Sequence, residues 1–350
     1  MSLNYNTIQA LVNDKYLPIL YNNIFSSNHY MLRNMKDKAK TYDERKIVVS
    51  LEYAKTTNVK FTKRFGTIPL SSPEIITAAE YTPAMLTGSL SIPLEDELEN
   101  KSSLAIQNII ATKMANLEKS IEAYCATHIW ARYNTLASMT DSEGNPMWNT
   151  LDFLVNNEAE TVGGIATGTY DWWASNVIDL SSGFNDDATA EADLVDAGKD
   201  VFLKKLLQKG IARSKYLTGE NPTVITVPQY IWDLLEFVLD PQKKGTKMNE
   251  KAASMGFNAI DYRNIPIIAE DDMVAAQTSD TDGRMYFFNE GYLYMFFNSG
   301  AKFKASEFTR LANQNAKTSL VNAYGNIVCS NRKAQTVIRG IRSPKTYVTG

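Results

Sequence analysis

The chain is poor in the residues that build reactive or metal-holding centres. Its 350 residues include two cysteines, Cys125 and Cys329, and two histidines, His29 and His128. That count excludes a disulfide framework. Long apolar runs are missing too. None approaches the roughly 18 residues needed to span a bilayer, and the densest, 292–297, has the length of a strand. The N-terminus, Met1-Ser-Leu-Asn-Tyr-Asn, lacks a basic stretch followed by an apolar one, so no export signal is legible. These absences read as a soluble, intracellular chain without a membrane partner. An excess of positive charge is lacking as well: 36 Lys and Arg face 39 Asp and Glu, for a net charge of −3. Tight, sequence-independent binding of nucleic acid normally shows as clustered Lys and Arg, and composition gives none. No internal repeat, low-complexity tract or Pro/Gly-rich linker divides the chain.

What is present is enough for a large core. Apolar residues make up 44% and charged residues 21%, which argues for one large domain or two and against disorder. Residues 7–40 are polar with apolar clusters, and read as one or two short helices joined by an extended arm. Lys46-Ile-Val-Val-Ser-Leu-Glu-Tyr53 is rich in β-branched and aromatic residues. A polar, basic stretch follows, and residues 75–92 return to strand composition, broken by Pro83 and Gly88. The pattern predicts a long two-stranded excursion with a mobile tip. An isolated hairpin is barely stable in water, so something must cover it.

The clearest element spans 101–136. Ile106, Ile110, Met114, Leu117, Ile121, Tyr124 and His128 recur every three or four residues, which is one face of a helix. No Gly or Pro interrupts it, and Glu95, Asp96, Glu97 and Glu99 lie near its N-terminal end, where the helix dipole favours negative charge. Beyond Gly144-Asn-Pro146 the pattern turns α/β. A helix is expected over 191–214, a strand over 224–227, a helix over 228–239 and a strand over 265–268. Mostly strands follow from 285 to 337.

Three clusters invite a chemical reading. Cys125 and His128 have metal-ligand spacing, yet a zinc site wants four ligands and the chain offers one further residue of each type, so core packing is the expected role. Gly163, Gly164 and Gly168 are followed by no Gly-Lys-Ser/Thr. They read as a turn with positive φ ahead of a Trp172–Trp173 anchor. Glu270, Asp271 and Asp272 could bind metal or perform acid–base work, or form a solvated turn. No catalytic residue, metal or cofactor is expected. The basic stretch with Lys55, Lys60, Lys63 and Arg64 is either a solvated loop or a surface that meets an acidic patch on another subunit, Glu95, Asp96, Glu97 and Glu99 being candidates.

Two segments in fixed order carry a resemblance. Thr161-Val-Gly-Gly-Ile-Ala-Thr-Gly-Thr-Tyr-Asp-Trp-Trp173 resembles the Gly-Gly-Ile…Trp-Trp segment of tailed-bacteriophage major capsid proteins. Tyr324-Gly-Asn-Ile-Val-Cys-Ser-Asn-Arg-Lys-Ala334 resembles their Tyr-Gly-Asn…Asn-Arg-x-Ala strand. Gly163, Gly164, Trp172, Trp173, Tyr324, Gly325, Asn326, Asn331, Arg332 and Ala334 are the matched positions. The resemblance implies an α+β chain with the Hong Kong 97-type capsid fold. Residues 1–45 would be an N-terminal arm and 46–92 the extended loop. Residues 93–150 and 285–322 would form a peripheral domain with its spine helix, 151–284 and 323–342 an axial domain, and 343–350 a C-terminal tail.

The same resemblance implies a structural protein that is not an enzyme. It would form hexamers and pentamers closing into an icosahedral shell around double-stranded DNA, in a virion assembled in the bacterial cytoplasm. Its partners would be copies of itself, a separate scaffolding protein, a portal, a decoration protein and DNA bound without sequence specificity. A near-neutral wall suits DNA that must slide past it. The 18 Tyr, 14 Phe and 5 Trp suit subunit interfaces, although a large core uses them equally. Three alternatives stand beside this reading: an encapsulin-type nanocompartment enclosing protein cargo, a cytosolic α/β enzyme, and a tube or decoration protein of a virion.

Overall fold

The computed structural model describes residues 29–56, 58–67, 74–95, 103–156, 161–180, 200–239, 259–280, 282–310 and 315–343. Helix α1 (Tyr30–Asp37) leads into strands β1 (Lys40–Tyr42), β2 (Ile47–Glu52), β3 (Ile76–Tyr81) and β4 (Ala84–Pro93). The long helix α2 (Ser103–Trp130) and the short α3 (Leu151–Val155) come next, followed by the small hairpin β5 (Thr161–Val162) and β6 (Ile165–Ala166), then β7 (Asn176–Asp179). Helix α4 (Asp200–Thr218), β8 (Val224–Val227), α5 (Gln229–Val238), β9 (Ala259–Tyr262), β10 (Ile265–Ala269) and α6 (Asp272–Ala275) make the α/β stretch. The last strands are β11 (Gly283–Phe288), β12 (Leu293–Asn298), β13 (Lys304–Ala305), β14 (Thr309–Arg310), β15 (Ala316–Cys329) and β16 (Thr336–Ile341).

Strand β15 organises the first sheet. Along one edge it pairs antiparallel with the whole of β4, from Ala316–Pro93 to Gly325–Ala84. Along the other it takes β14, β13 and β12 in turn, and β1 adds to β12 in parallel. Helix α2 lies over β4. Ile110, Met114 and Ile121 are buried there, as the apolar periodicity requires, whereas Tyr124 of the same stripe is exposed and Cys125 is buried beside it. Gly88 does not break β4, contrary to the sequence reading. A Cβ at Gly88 would lie 2.9 Å from Leu117 Cδ1, so the glycine lets helix and strand approach.

The second sheet runs β7-β16-β11-β8-β10-β9. Its faces separate cleanly by alternation. Ile225, Val227, Met285 and Phe287 pack with Leu206 and Leu207 of α4 and Ile231 and Leu235 of α5. Val224, Tyr286 and Phe288 face the other way, where Trp130 at the end of α2 sits with ring centroids 5.6 Å from Tyr286 and 6.2 Å from Phe288. Such aromatic pairs add about 1 kcal/mol each beyond area burial. The end of α2 therefore ties the first sheet's helix to the second sheet.

Several expectations shift at their edges. The long helix ends at Trp130 and not at 136; Ala131 N–H bonds back to the His128 carbonyl and the chain then leaves the helix. The helix of 191–214 is described from Asp200 to Thr218, and residues 191–199 lie outside the described residues. The two-stranded excursion is shorter than 46–92. β2 pairs with β3, while β4 turns away after Pro83 to join β15. The break expected at Pro83 is present, and the pairing demand of the long strand β15 draws β4 away from the hairpin there. Strand β7 had no expected counterpart. Residues 7–28 of the arm lie outside the described residues. No helix among the described residues is long and apolar enough to cross a membrane.

Candidate functional site

The two motif segments meet in space. Gly163 and Gly164 form the turn between β5 and β6 with φ of 62° and 76°, the left-handed region that glycine enters without a Cβ penalty. Gly163 also accepts a hydrogen bond from the Glu80 amide at 2.9 Å, and a Cβ there would sit 2.9 Å from Ala79 Cβ. The turn thus braces the base of the β2–β3 hairpin. Trp173 is buried and donates its indole N–H to the Val162 carbonyl at 2.9 Å. Trp172 packs against it at a tilt and reaches Tyr53 just past β2, ring centroids 5.3 Å apart.

Arg332 closes this junction from the C-terminal motif. Its side chain is fully buried, and no carboxylate pairs with it among the described residues. Its guanidinium donates to the carbonyls of Leu154 at 2.7 Å, Asn156 at 3.0 Å and Trp173 at 3.1 Å. It also lies 5.8 Å from the Trp173 ring centroid. Burial pulls its pKa down to about 10, still charged at neutral pH. Arginine suits this position because its five N–H donors are held in a planar fork. One side chain thereby caps the end of α3 and grips the tryptophan turn.

The rest of the motif follows the same logic. Asn326 donates to the Thr82 carbonyl at 2.7 Å and accepts from the Asn149 amide at 2.7 Å, so it pins the bend between β3 and β4. Gly325 lets β12 and β15 approach, since a Cβ would lie 2.1 Å from the Phe296 carbonyl oxygen. Tyr324 is half-buried on β15, Asn331 precedes the short turn Arg332–Ala334, and Ala334 is buried.

The chemical candidates resolve into packing. Cys125 is buried, and burial pushes its thiol up to about 12. His128 is buried and holds the Trp148 carbonyl at 2.7 Å through Nε2, and burial lowers its pKa. No group of residues suited to hold a metal occurs among the described residues. The acidic trio is neither a metal site nor a wholly solvated turn. Asp271 is exposed, but Glu270 is buried and accepts from the Met31 amide at 3.1 Å, while His29 Nδ1 lies 2.8 Å from Asp272 Oδ2 and 3.9 Å from Glu270 Oε2. Two carboxylates clamp the segment that enters α1. Tyr30 adds a 2.7 Å hydrogen bond to Glu290. A sequence reading had no way to bring residues 29–31 to 270–272, because the pairing spans most of the chain.

The hairpin carries the exposed candidates. Its base buries Ile47, Leu51, Ala79 and Tyr81 on one face and leaves Val48 and Ile76 exposed on the other. Lys55, Lys60, Lys63 and Arg64 all stand exposed beyond it, and none pairs with a carboxylate among the described residues. Between them are three apolar side chains that the charge reading passed over: Val59 at 83% exposure, Phe61 at 107% and Phe65 at 95%. A turn closed by the Gly66 amide on the Lys63 carbonyl at 2.8 Å presents Arg64 and Phe65 at its corners. The signal was in the sequence as aromatic and basic residues interleaved over 59–65 without a core periodicity. Of the acidic candidates, Glu95 is exposed just past β4, and Asp96, Glu97 and Glu99 lie outside the described residues.

No family model matches the chain, and no curated protein matches it. Solved structures do. A chain of the cyanophage A-1(L) capsid asymmetric unit is similar at 12% identity with a TM-score of 0.61, over 89% of this chain and 92% of that one. A chain of the satellite phage P4 procapsid, solved with its size determination protein, is similar at 11% identity and TM-score 0.52, over 93% and 91%. A chain of the native GTA particle capsid is similar at 10% identity and TM-score 0.52, over 87% and 88%. The chain has the fold of phage capsid proteins, the α+β Hong Kong 97-type architecture.

Proposed function

We propose that this chain is the major capsid protein of a tailed bacteriophage, a structural protein without catalytic activity. It assembles as hexamers and pentamers into an icosahedral shell that encloses double-stranded DNA. The observation that carries this reading is the capsid fold running over nearly the whole chain, combined with a hairpin that leaves large apolar side chains in water. Monomeric proteins rarely expose such a cluster, and a second subunit is the natural cover. Closed shells need contacts on every side of the subunit, and many moderate contacts then sum to a stable wall.

In this reading residues 1–45 are the arm and 46–92 include the extended loop. Residues 93–150 and 285–322 form the peripheral domain, 151–284 and 323–342 the axial domain, and 343–350 the tail. The buried Trp173–Arg332 junction holds the loop base against the axial domain, while the loop tip stays free to adjust between environments. A separate scaffolding protein, a portal and a decoration protein complete the particle. It is built in the bacterial cytoplasm and packages DNA without sequence specificity, which the net charge of −3 accommodates.

The test is to express the chain alone and with a scaffolding partner. Particle mass is measured by light scattering, and the same sample is imaged by negative stain. Shells, tubes or capsomer rings are expected, and DNA is expected inside particles recovered from infected cells. A monomer under both conditions overturns the reading. Shells that carry an enzyme in place of DNA would make the protein an encapsulin-type compartment.

A further inference from the structure

Helix α4 turns Leu203, Leu206, Leu207 and Ile211 into the core of the second sheet. Two close contacts fix its rotation. A Cβ at Gly210 would lie 2.3 Å from the Phe287 ring, and the Ser214 hydroxyl meets the Thr336 hydroxyl at 2.7 Å. The outward face is therefore set, and it is basic. Lys205, Lys209 and Arg213 recur every four residues and stand exposed, and exposed Lys215 and Tyr216 close the stripe. Residues 201–219 hold five cations and no carboxylate, in a chain whose net charge is −3. Lys205, Arg213 and Lys215 pair with no carboxylate among the described residues. Like charges four apart on a helix repel, so the stripe weakens the helix that carries it. A helix that needed only solubility would interleave acids.

We infer that this face of α4 holds the phosphate backbone of the enclosed double-stranded DNA, with Lys205, Lys209, Arg213 and Lys215 as cations and Gln208 and Tyr216 as neutral donors. The inference rests on the proposed DNA-enclosing function and names the surface that meets the DNA. Cations clustered along one helix, about 6 Å apart, are the electrostatic footprint of a polyanion. No group on the stripe carries negative charge, and side chains of all these types donate to phosphate oxygens without reading sequence. A few such contacts per subunit are weak singly, so DNA can still move along the wall, and they sum over a shell. The near-neutral total hides the stripe, because acids elsewhere in the chain balance it.

The test measures binding of the unassembled full chain to a short fluorescent duplex of arbitrary sequence. With three phosphate contacts, affinity should fall about fortyfold between about 50 and 200 mM salt. Lys205→Gln, Arg213→Gln and Lys215→Gln together should bind about tenfold more weakly at the lower salt and lose most of that salt dependence. Lys55→Gln, Lys60→Gln and Lys63→Gln together remove the same charge from the hairpin and should bind like the wild type. Equal losses in the two variants, no loss in the stripe variant, or no binding by the wild type overturns the inference; shells that still form leave the proposed assembly intact. Formaldehyde cross-linking of DNA-filled particles from infected cells, with peptide mapping, is the second arm and decides if the stripe variant does not fold. Links to DNA within 205–216 are expected. Links to DNA confined to other segments, or links from the stripe to another protein in place of DNA, overturn the inference and leave the function standing. Shells that hold no DNA overturn the function and this inference together.

Discussion

Arg332 and Trp173 stand 159 residues apart and share one junction: the guanidinium donates to the Trp173 carbonyl at 3.1 Å and lies 5.8 Å from its ring centroid. The same cation holds the end of α3 through Leu154 and Asn156. Three segments of chain are therefore fixed by one buried side chain, and the hairpin base is fixed through Trp172 and Tyr53.

Arg332→Met should be severely destabilising. It keeps the apolar bulk and leaves three buried carbonyls without donors, each costing about 1 kcal/mol or more. A loss of about 3 kcal/mol is expected in urea unfolding of the unassembled subunit. Arg332→Lys should recover little, because one ammonium cannot span carbonyls that a planar fork reaches together. A lysine variant of wild-type stability would refute the fork argument.

Two glycines of the motifs should differ in cost. At Gly164 a Cβ meets nothing within 4 Å, so Gly164→Ala carries only the positive-φ penalty of about 1–2 kcal/mol. At Gly325 a Cβ would lie 2.1 Å from backbone oxygen, which must force β12 off β15 and cost about 3 kcal/mol or more. Denaturation midpoints of the two variants check the order. Equal midpoints would mean that the strands can separate freely there.

Both thiols should be silent in the native protein. Burial pushes Cys125 and Cys329 each up to about 12, so almost no thiolate exists at neutral pH, and both residues are buried. A thiol reagent at pH 8 should label neither until denaturant is added, when both should react. Prompt labelling of the folded chain would contradict the packing role of Cys125.

The residues that show where sequence was informative are particular ones. The long helix was legible because Ile110, Met114 and Ile121 repeat with the helical period and face one strand. Its end at Trp130 was not, because Ala131–Leu136 contains neither Gly nor Pro and the break comes from tertiary packing of Trp130 on the second sheet. The glycine turn was legible because glycine takes successive positive-φ positions without a Cβ penalty, whereas the Arg263–Asn264 turn, with φ of 55° and 63°, carries no such mark in sequence. Arg332 was matched as a motif residue, but its role depends on carbonyls more than a hundred positions away. The clamp of Glu270 and Asp272 on His29 was illegible for the same reason. The tip aromatics were visible letter by letter, yet exposure, and not identity, makes them informative.

The two histidines should titrate on opposite sides of their ordinary value of 6.5. The hydrogen bond that His29 donates to Asp272, and then the Glu270 carboxylate beside it, raise His29 to about 10, against a smaller opposing effect of burial. Burial is the largest influence on His128 and lowers it. A raised pKa in the folded state means the clamp contributes fully below 6.5, begins to weaken above it, and is lost as pH rises through about 10. Docking of α1 should therefore loosen between about pH 7 and pH 10.5, seen as faster proteolysis near residue 29. The His29→Ala variant should start loose and lose that pH dependence. Histidine-selective NMR of the unassembled subunit reads both groups directly: one resonance with a midpoint far above 6.5 and one below it. Two ordinary midpoints would show that His29 is not held by the carboxylates in solution, and the clamp would then not anchor the N-terminal segment.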